Sequence, residues 1–410
     1  MPFRVIDGQF LCSGKRYVKS ALMGRVLRKH WKDMVAATVI GVWSAHFAGA
    51  QTLDLRYAQA YSAAHSIFAP PVSVAESEGL FAREGLRVQV VIPIPGGSDK
   101  MIAALHDDWA DLTHVATPYL IRAALAGSDA VAIDAEFNDP VYSLIGKPGI
   151  KSFSDLKTKL VGLADESGTI SLSMFKLLAM HGLERRSYAV KIIEGTPARL
   201  SCLQRDECDA VVLGQPQDLQ AIADGYALLG RSNEAVPDYL YTVTAVRRSW
   251  ADAHREAVSR FVRAMIAAND FICDPKNHDR VIAVIGKTTG ASDEIAGKTL
   301  DLLLQSGRRV LPDHAAIDLN GLQQVIAMMG EAGLIAKPLP QADRFVDLQY
   351  LRAAGTGWIA TSALAAAGVA TFVALLPEHL TQWLWPGFAW LVPAGSIVAF
   401  AHLLRGYFAR

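Results

Sequence analysis

A short apolar run, Leu160 to Ala164, gives way at Ser167-Gly168-Thr169 to helical spacing carried by Ile170, Met174, Leu177 and Leu178. Read on to Pro216, the pattern predicts strand, turn, helix, strand, helix, strand and turn. A Ser/Gly/Thr turn that opens a helix leaves backbone N–H groups and the positive end of the helix dipole pointing outward. Such an end suits an anion or a polar ligand head. The same residues also suit a plain helix cap that binds nothing.

Upstream, LDLRYA (Leu53 to Ala58) predicts a strand, followed by a polar and aromatic turn with Tyr61, Ser62, His65, Ser66 and Phe68. Pro70 opens a helix through Val74, Glu78 and Phe81 that Gly85 closes. Strands are predicted at Leu86 to Ile92, Ala110 to Ala116 and Val131 to Ala135, with a helix over Lys100 to His106 and another opened by Thr117-Pro118. Asn138-Asp139-Pro140 breaks regular structure, and the chain is expected to cross there to a second lobe. Strands at Val141 to Ile145, Ala227 to Leu229 and Tyr239 to Val246 follow, the last returning to the first lobe. Strands alternating with helices argue for a largely parallel sheet in each lobe. From Trp250 onward the spacing is helical, with Ala257, Phe261, Met265, Ala268 and Ile272 on one face.

The central stretch repeats an earlier one. At a constant offset of 98 residues Gly97 matches Gly195, Leu105 matches Leu203, Asp108 matches Asp206, Asp111 matches Asp209, Pro118 matches Pro216 and Gly127 matches Gly225. Two such copies imply two similar α/β units. Two lobes whose strands end at helix N-termini describe a binder with a cleft.

Composition changes this picture mainly at the ends. The chain has 410 residues, enough for two domains, and its 40 basic residues balance its 40 acidic ones. No basic stretch outside the N-terminus suggests nucleic acid. Residues 1–50 read as an export signal: Arg16, Lys19, Arg25, Arg28, Lys29 and Lys32 precede an uncharged run from Met34 to Ala50 that ends in small residues. An uncleaved anchor is the other reading of that segment. Residues 356–404 carry two uncharged runs, Gly357 to Leu376 and Leu380 to Leu404, read as C-terminal apolar helices. They fit a transmembrane hairpin, or a span plus an interfacial helix, with docking on protein as the alternative.

Of four cysteines, Cys12 would leave with the signal, which leaves Cys202, Cys208 and Cys273. Cys202 and Cys208 could pair in an oxidising compartment, but they read as two separate buried thiols. No metal-ligand spacing is present, and Gly286-Lys287-Thr288 lacks the earlier glycine of a phosphate-binding loop, because position 281 is Val. No cofactor or metal is expected, and no candidate acid–base groups (His65, Asp139, Glu166) are paired by spacing.

APPVSVAESEGLFAREGLRVQVV, ADLTHVATP, VYSLIGKPGIKSFSDLKTKLVGLADESGT, DAVVLGQPQDL and FVDLQYLRAAG occur in that order over about Leu53 to Gly355. Together they resemble the substrate-binding proteins of ABC importers for nitrate, taurine, aliphatic sulfonates and thiamine-type pyrimidines. The resemblance implies an α/β, two-lobed type II periplasmic-binding fold with a hinge, with lobe 1 at 51–137 and 244–350 and lobe 2 at 138–243. It implies a cleft site drawn from His65, Ser66 and Phe68, from Thr117, from Asn138 and Tyr142, and from Ser167, Gly168, Thr169 and Gln215. The implied function is capture of a small anionic or polar solute outside the cytoplasm and delivery to an inner-membrane ABC permease. No catalysis is expected. A same-fold enzyme, such as a decarboxylase or pyrimidine-precursor synthase, and a membrane-tethered sensor are the alternatives. Glu207-Cys208 departs from the glycine usual there, and the cysteine-rich motif of the pyrimidine synthases is not found.

Overall fold

Strands inside the sheets are short runs buried on both faces: every position of Leu112–Ala116 and of Ala130–Phe137 is buried. That pattern belongs to sheets covered by helices on each side. The computed structural model describes residues 52–94, 97–236, 239–305 and 310–355. Within them β1 (Leu53–Ala60), β2 (Leu86–Ile94), β3 (Leu112–Ala116), β4 (Ala130–Phe137), β5 (Ser143–Gly146), β6 (Leu160–Leu163), β7 (Ala189–Ile192), β8 (Ala210–Leu213), β9 (Ala227–Arg231) and β10 (Thr242–Arg247) build two sheets. Their orders are β2-β1-β3-β10-β4 and β7-β6-β8-β5-β9.

Each sheet is largely parallel, as the alternating pattern implies, with one antiparallel strand inserted. β1 runs parallel to β2 and β3, but β10 is antiparallel to both β3 and β4. In the second sheet β6 runs parallel to β7 and β8, while β5 is antiparallel to β8 and β9. The cause is the exchange of strands. The chain leaves the first sheet after β4 to enter the second as β5, and it leaves the second after β9 to re-enter the first as β10.

The connecting helices are α1 (Tyr61–Ala64), α2 (Pro70–Ser77), α3 (Leu80–Arg83), α4 (Ser98–His106), α5 (Thr117–Leu125), α6 (Thr169–Met180), α7 (Thr196–Gln204) and α8 (Gln217–Ala223). After β10 come α9 (Arg248–Ala253), α10 (Arg255–Cys273), α11 (His278–Thr289), α12 (Asp293–Leu303) and α13 (Leu319–Glu331). The single helix expected from Pro70 to Gly85 is split into α2 and α3, because Gly79 takes a left-handed conformation (φ 66°) between them. The long helix α10 buries Ala257, Phe261, Met265, Ala268 and Ile272, the residues its spacing singles out. Phe261 stacks on Tyr57 of β1 at 5.7 Å and on Phe81 of α3 at 5.6 Å.

The 98-residue echo is structural. Helices α4 and α7 span positions separated by that offset at both ends, and β3 and β8 begin at Leu112 and Ala210. The matched aspartates do matched work: Asp111 Oδ2 accepts the backbone N–H of Arg56 at 2.7 Å, and Asp209 Oδ2 accepts that of Leu160 at 2.9 Å. Each carboxylate ties the entry of its strand to the neighbouring parallel strand. Asp108 and Asp206, in the turns between, share a positive φ (56° and 59°).

Cys202 and Cys208 are joined in a disulfide, with Cα atoms 5.5 Å apart, rather than standing as separate thiols. The left-handed turn at Asp206 folds the end of α7 back onto the start of β8 and brings the two together. Cys273 is free and exposed. The export signal read at 1–50 and the apolar helices read at 356–404 lie outside the described residues. Among the described residues no helix is long and apolar enough to cross a membrane.

Loop closure by a bridge of this sequence separation is worth about 2 kcal/mol in the chain-entropy account. Replacing both Cys202 and Cys208 by Ala is therefore expected to lower the unfolding free energy by about that amount. Urea unfolding of the two proteins, in the absence of reductant, measures it.

Candidate functional site

The parallel strands of both sheets end at one crevice. Ala60 ends β1, Ala116 ends β3, Ala164 follows β6, Glu194 follows β7 and Gly214 follows β8, and all of them line a single cavity of about 470 Å³. Carboxyl ends of strands are where α/β sheets present helix N-termini and loops to a ligand. The volume lies in the range of small-molecule sites.

An aromatic group forms the apolar part of the wall. Phe68 stands edge-on to Phe137 at 4.9 Å and to Tyr241 at 5.3 Å, and stacks on Tyr142 at 5.7 Å. Phe68, Tyr142 and Tyr241 all line the cavity. A turn in which Ser66 Oγ donates to Ala63 O and accepts from Phe68 N–H sets the position of Phe68. Burial raises the hydroxyls of Tyr142 and Tyr241 above their ordinary range, so both stay neutral donors.

Of the residues expected from sequence, Ser66, Phe68, Tyr142 and Thr169 line the cavity. Thr117, Asn138, Ser167, Gly168, His65 and Gln215 are placed around it without lining it. Thr117 Oγ1 donates to Leu240 O, so it anchors α5 to the segment entering β10. Asn138 donates its backbone N–H to Val310 O at the crossing. Gln215 turns its carboxamide onto the first turn of α8, where Nε2 donates to Asp218 Oδ2 at 2.7 Å. His65 is exposed at the end of the α1 turn. Ser167 accepts a hydrogen bond at Oγ from Arg122 Nη1, 2.9 Å away on α5, so the β6–α6 turn and the helix opened by Thr117 meet across one crevice.

The α6 entrance is already partly occupied by the chain itself. Asp165 Oδ1 accepts the N–H groups of Ser167 and Gly168 at 3.0 and 2.5 Å. A Cβ on Gly168 would come within 2.4 Å of the other Asp165 oxygen, which is why that position holds glycine. Asp165 also lines the cavity.

Sequence reasoning passed over Arg199, His114, Asp165 and Tyr241. Arg199 sits in the first turn of α7, 2% exposed, and is among the residues lining the cavity. Nε donates to Val212 O, Nη1 to Ile193 O at 2.8 Å and Nη2 to Thr196 Oγ1 at 3.1 Å. Burial pulls its pKa below the ordinary value, against the opposing pull of Tyr142, Asp165 and Tyr241. The internal repeat held the missing signal. Gly97 and Gly195, Ser98 and Thr196, Met101 and Arg199, and Ala116 and Gly214 are pairs at the 98-residue offset, and every member lines the cavity.

Below the first-sheet wall lies a buried acidic network. His114, on β3, lines the cavity and pairs through Nδ1 with Glu136 Oε2 on β4. Glu136 Oε1 also accepts from Tyr57 Oη at 2.7 Å and Thr244 Oγ1 at 2.8 Å. Burial raises the Glu136 carboxyl, but the charge and hydrogen bond of His114, with the bonds from Tyr57 and Thr244, outweigh it and hold the group below its ordinary value. Two residues away Asp134 has weaker support, from Thr244, whose backbone N–H donates to its Oδ1 at 3.3 Å. Burial and the Glu136 charge push it up to about 8, and its Oδ2 has no hydrogen-bond partner among the described residues.

Comparison with known proteins adds kinship. A profile of the family described as NMT1/THI5 like matches residues 69–277. No curated protein matches the sequence. Among solved structures, the periplasmic nitrate-binding protein NrtA from Synechocystis PCC 6803 is similar with a TM-score of 0.62 at 13% identity, over 75% of this chain and 89% of that one. The ligand-binding component of an ABC-type import system from Staphylococcus aureus, with zinc bound, gives 0.60 at 13%, over 74% and 99%. The alkanesulfonate-binding protein SsuA from Xanthomonas axonopodis pv. citri, bound to MOPS, gives 0.56 at 18%, over 72% and 99%. The two-sheet α/β fold is therefore that of periplasmic binding proteins.

An acid whose pKa is raised on folding is protonated in the folded chain and ionised in the unfolded one, so unfolding releases a proton and stability falls as pH rises through that interval. For Asp134 the interval runs from its ordinary value of 3.8 to about 8. Between about pH 5 and about pH 8 the Asp134→Asn protein is expected to lose at least about 1 kcal/mol less stability than the unsubstituted chain. Urea titrations at the two pH values measure the difference, and parallel losses in both proteins would refute it.

Proposed function

This chain belongs to the NMT1/THI5-like family, and we propose that it is the extracytoplasmic solute-binding component of an ABC importer. The observation that carries the reading is the cavity at the meeting of both sets of strand ends, walled by Phe68, Tyr142 and Tyr241 and by polar groups from each sheet. Residues 51–137 and 244–350 would act as one lobe and residues 138–243 as the other. The chain passes between the sheets after β4 and again before β10, and these two crossings would form the hinge.

Closure has visible contacts. Arg122 reaches Ser167, Ile67 N–H donates to Gln215 O at 3.3 Å, and the hydroxyls of Tyr142 and Tyr241 lie 3.4 Å apart. Each joins a residue associated with the first sheet to one associated with the second. A solute trapped between them adds its own contacts to both sides, which is how such a site turns binding into a shape a permease can read.

The surroundings agree with that role. A buried disulfide that closes the short turn from α7 to β8 suits an oxidising compartment, in keeping with the export signal read at residues 1–50. The apolar runs within residues 356–404 would hold the protein beside an inner-membrane permease, a reading that rests on their sequence alone. The solutes named for the similar structures, nitrate and an alkanesulfonate, support an anionic or polar ligand class.

A bound solute stabilises the folded chain by mass action. Screening the full chain by thermal shift against sulfonates, carboxylates, nitrate and pyrimidines is expected to give saturable increases in Tm with one class. Phe68→Ala is expected to weaken that binding by about tenfold or more, since a stacked aromatic wall is lost. Unchanged affinity would remove Phe68 from the site, and no Tm response to any solute would remove the function.

A further inference from the structure

The cavity wall carries charges of both signs, Arg199 and Asp165, which feel each other's field without sharing a hydrogen bond. Arg199 is buried, and the acceptors of its hydrogen bonds are two backbone carbonyls and a threonine hydroxyl, none of them a carboxylate. A guanidinium offers five N–H donors, so these three bonds leave two over. A buried cation is costly until an anion with matching geometry completes it. Asp165 lines the same cavity, half-buried. Its Oδ1 is taken by the N–H groups of Ser167 and Gly168, and neither of these bonds uses Oδ2. Glu194 adds a second carboxylate at the exposed rim.

Resting on the reading of this cavity as a solute site, we propose that it selects a small molecule bearing both charges. A carboxylate or sulfonate sits on Arg199, an ammonium or strongly polarised N–H sits on Asp165, and Phe68, Tyr142 and Tyr241 cover the carbon skeleton between. A simple anion is the poorer match. It gains the guanidinium but brings its charge against Asp165 and Glu194, and Asp165, bound in the turn that leads into α6, opposes the attraction of that helix end for an anion. A solute with both charges satisfies each wall and enters with no net charge to repel. The plainer account makes Arg199 a tie between the ends of β7 and β8, and Asp165 only a helix cap. The two accounts part on whether Asp165 tells an aminated solute from its amine-free counterpart.

The test uses the full chain and matched probes in calorimetry: 2-aminoethanesulfonate against ethanesulfonate, and L-phenylalanine against 3-phenylpropionate. In at least one pair the aminated member is expected to bind about tenfold tighter or more. Asp165→Asn keeps the oxygen that accepts from Ser167 and Gly168 but loses the charge, and it is expected to cut that preference to about threefold or less. Arg199→Lys, which keeps the charge and loses the planar fork, is expected to weaken both members of the pair by about tenfold. Equal or tighter binding of the amine-free anion would overturn the proposal, as would a preference that survives Asp165→Asn. Binding of thymine that neither substitution alters would overturn the charge pairing while leaving solute capture in place. Saturable binding by none of these probes, nor by the wider solute panel, would end both.

Discussion

Strand exchange is the constraint on which the rest of the molecule depends. Each sheet is completed by a strand that arrives from the other: β5 enters beside β8 and β9, and β10 enters beside β3 and β4. The inserted strands are buried, with Leu144, Ile145, Val243 and Ala245 wholly inside, so neither can be withdrawn without opening a core. Two connections therefore lie side by side between the sheets. They hold the carboxyl ends of the parallel strands against one crevice. The cavity is a consequence of this topology, and its residues come from chain segments far apart in sequence.

Within the crevice, the chain's own charges set the terms for a guest. A helix N-terminus attracts anions in general, yet here Asp165 takes up the first N–H groups of the β6–α6 turn, and Gly168 is the residue that allows the close approach. The positive charge is supplied instead by Arg199, reached from α7 and fixed by the carbonyls of Ile193 and Val212. Fixing a guanidinium by neutral acceptors orients its planar fork without neutralising it. The result is a wall that discriminates by charge pattern more than by net charge.

The first-sheet side is built differently. There His114 stands between the cavity and a carboxylate network shared by four strands, with Glu136 at its centre and Asp134 beside it. Placing two carboxyl groups on one face of β4 in a dry core separates their proton affinities: the better-supported Glu136 stays ionised and Asp134 is held neutral over much of the physiological range. The second sheet has its own fixture, the disulfide that pins the end of α7, the helix that carries Arg199, to the start of β8.

Local patterns decided a good deal. Alternating strands and helices, the crossing at Asn138-Asp139-Pro140, the buried face of α10 and the 98-residue echo were all legible, because each depends on residues close in the chain or on a fixed offset. So was the Ser66–Phe68 turn, since a serine that bonds its own backbone shapes a turn without outside help. Tertiary structure decided which side chains face inward. Gln215 and Thr117 stand in turns that read as ligand loops, yet each spends its polar group on a neighbouring strand or segment. Arg199 and His114 read as helix and strand residues like any other, and only the folded chain brings them to the cavity. The antiparallel sense of β5 and β10 and the pairing of Cys202 with Cys208 were likewise hidden. Direction within a sheet and closure of a turn depend on where the chain comes from in space, and hydrophobic period is blind to that.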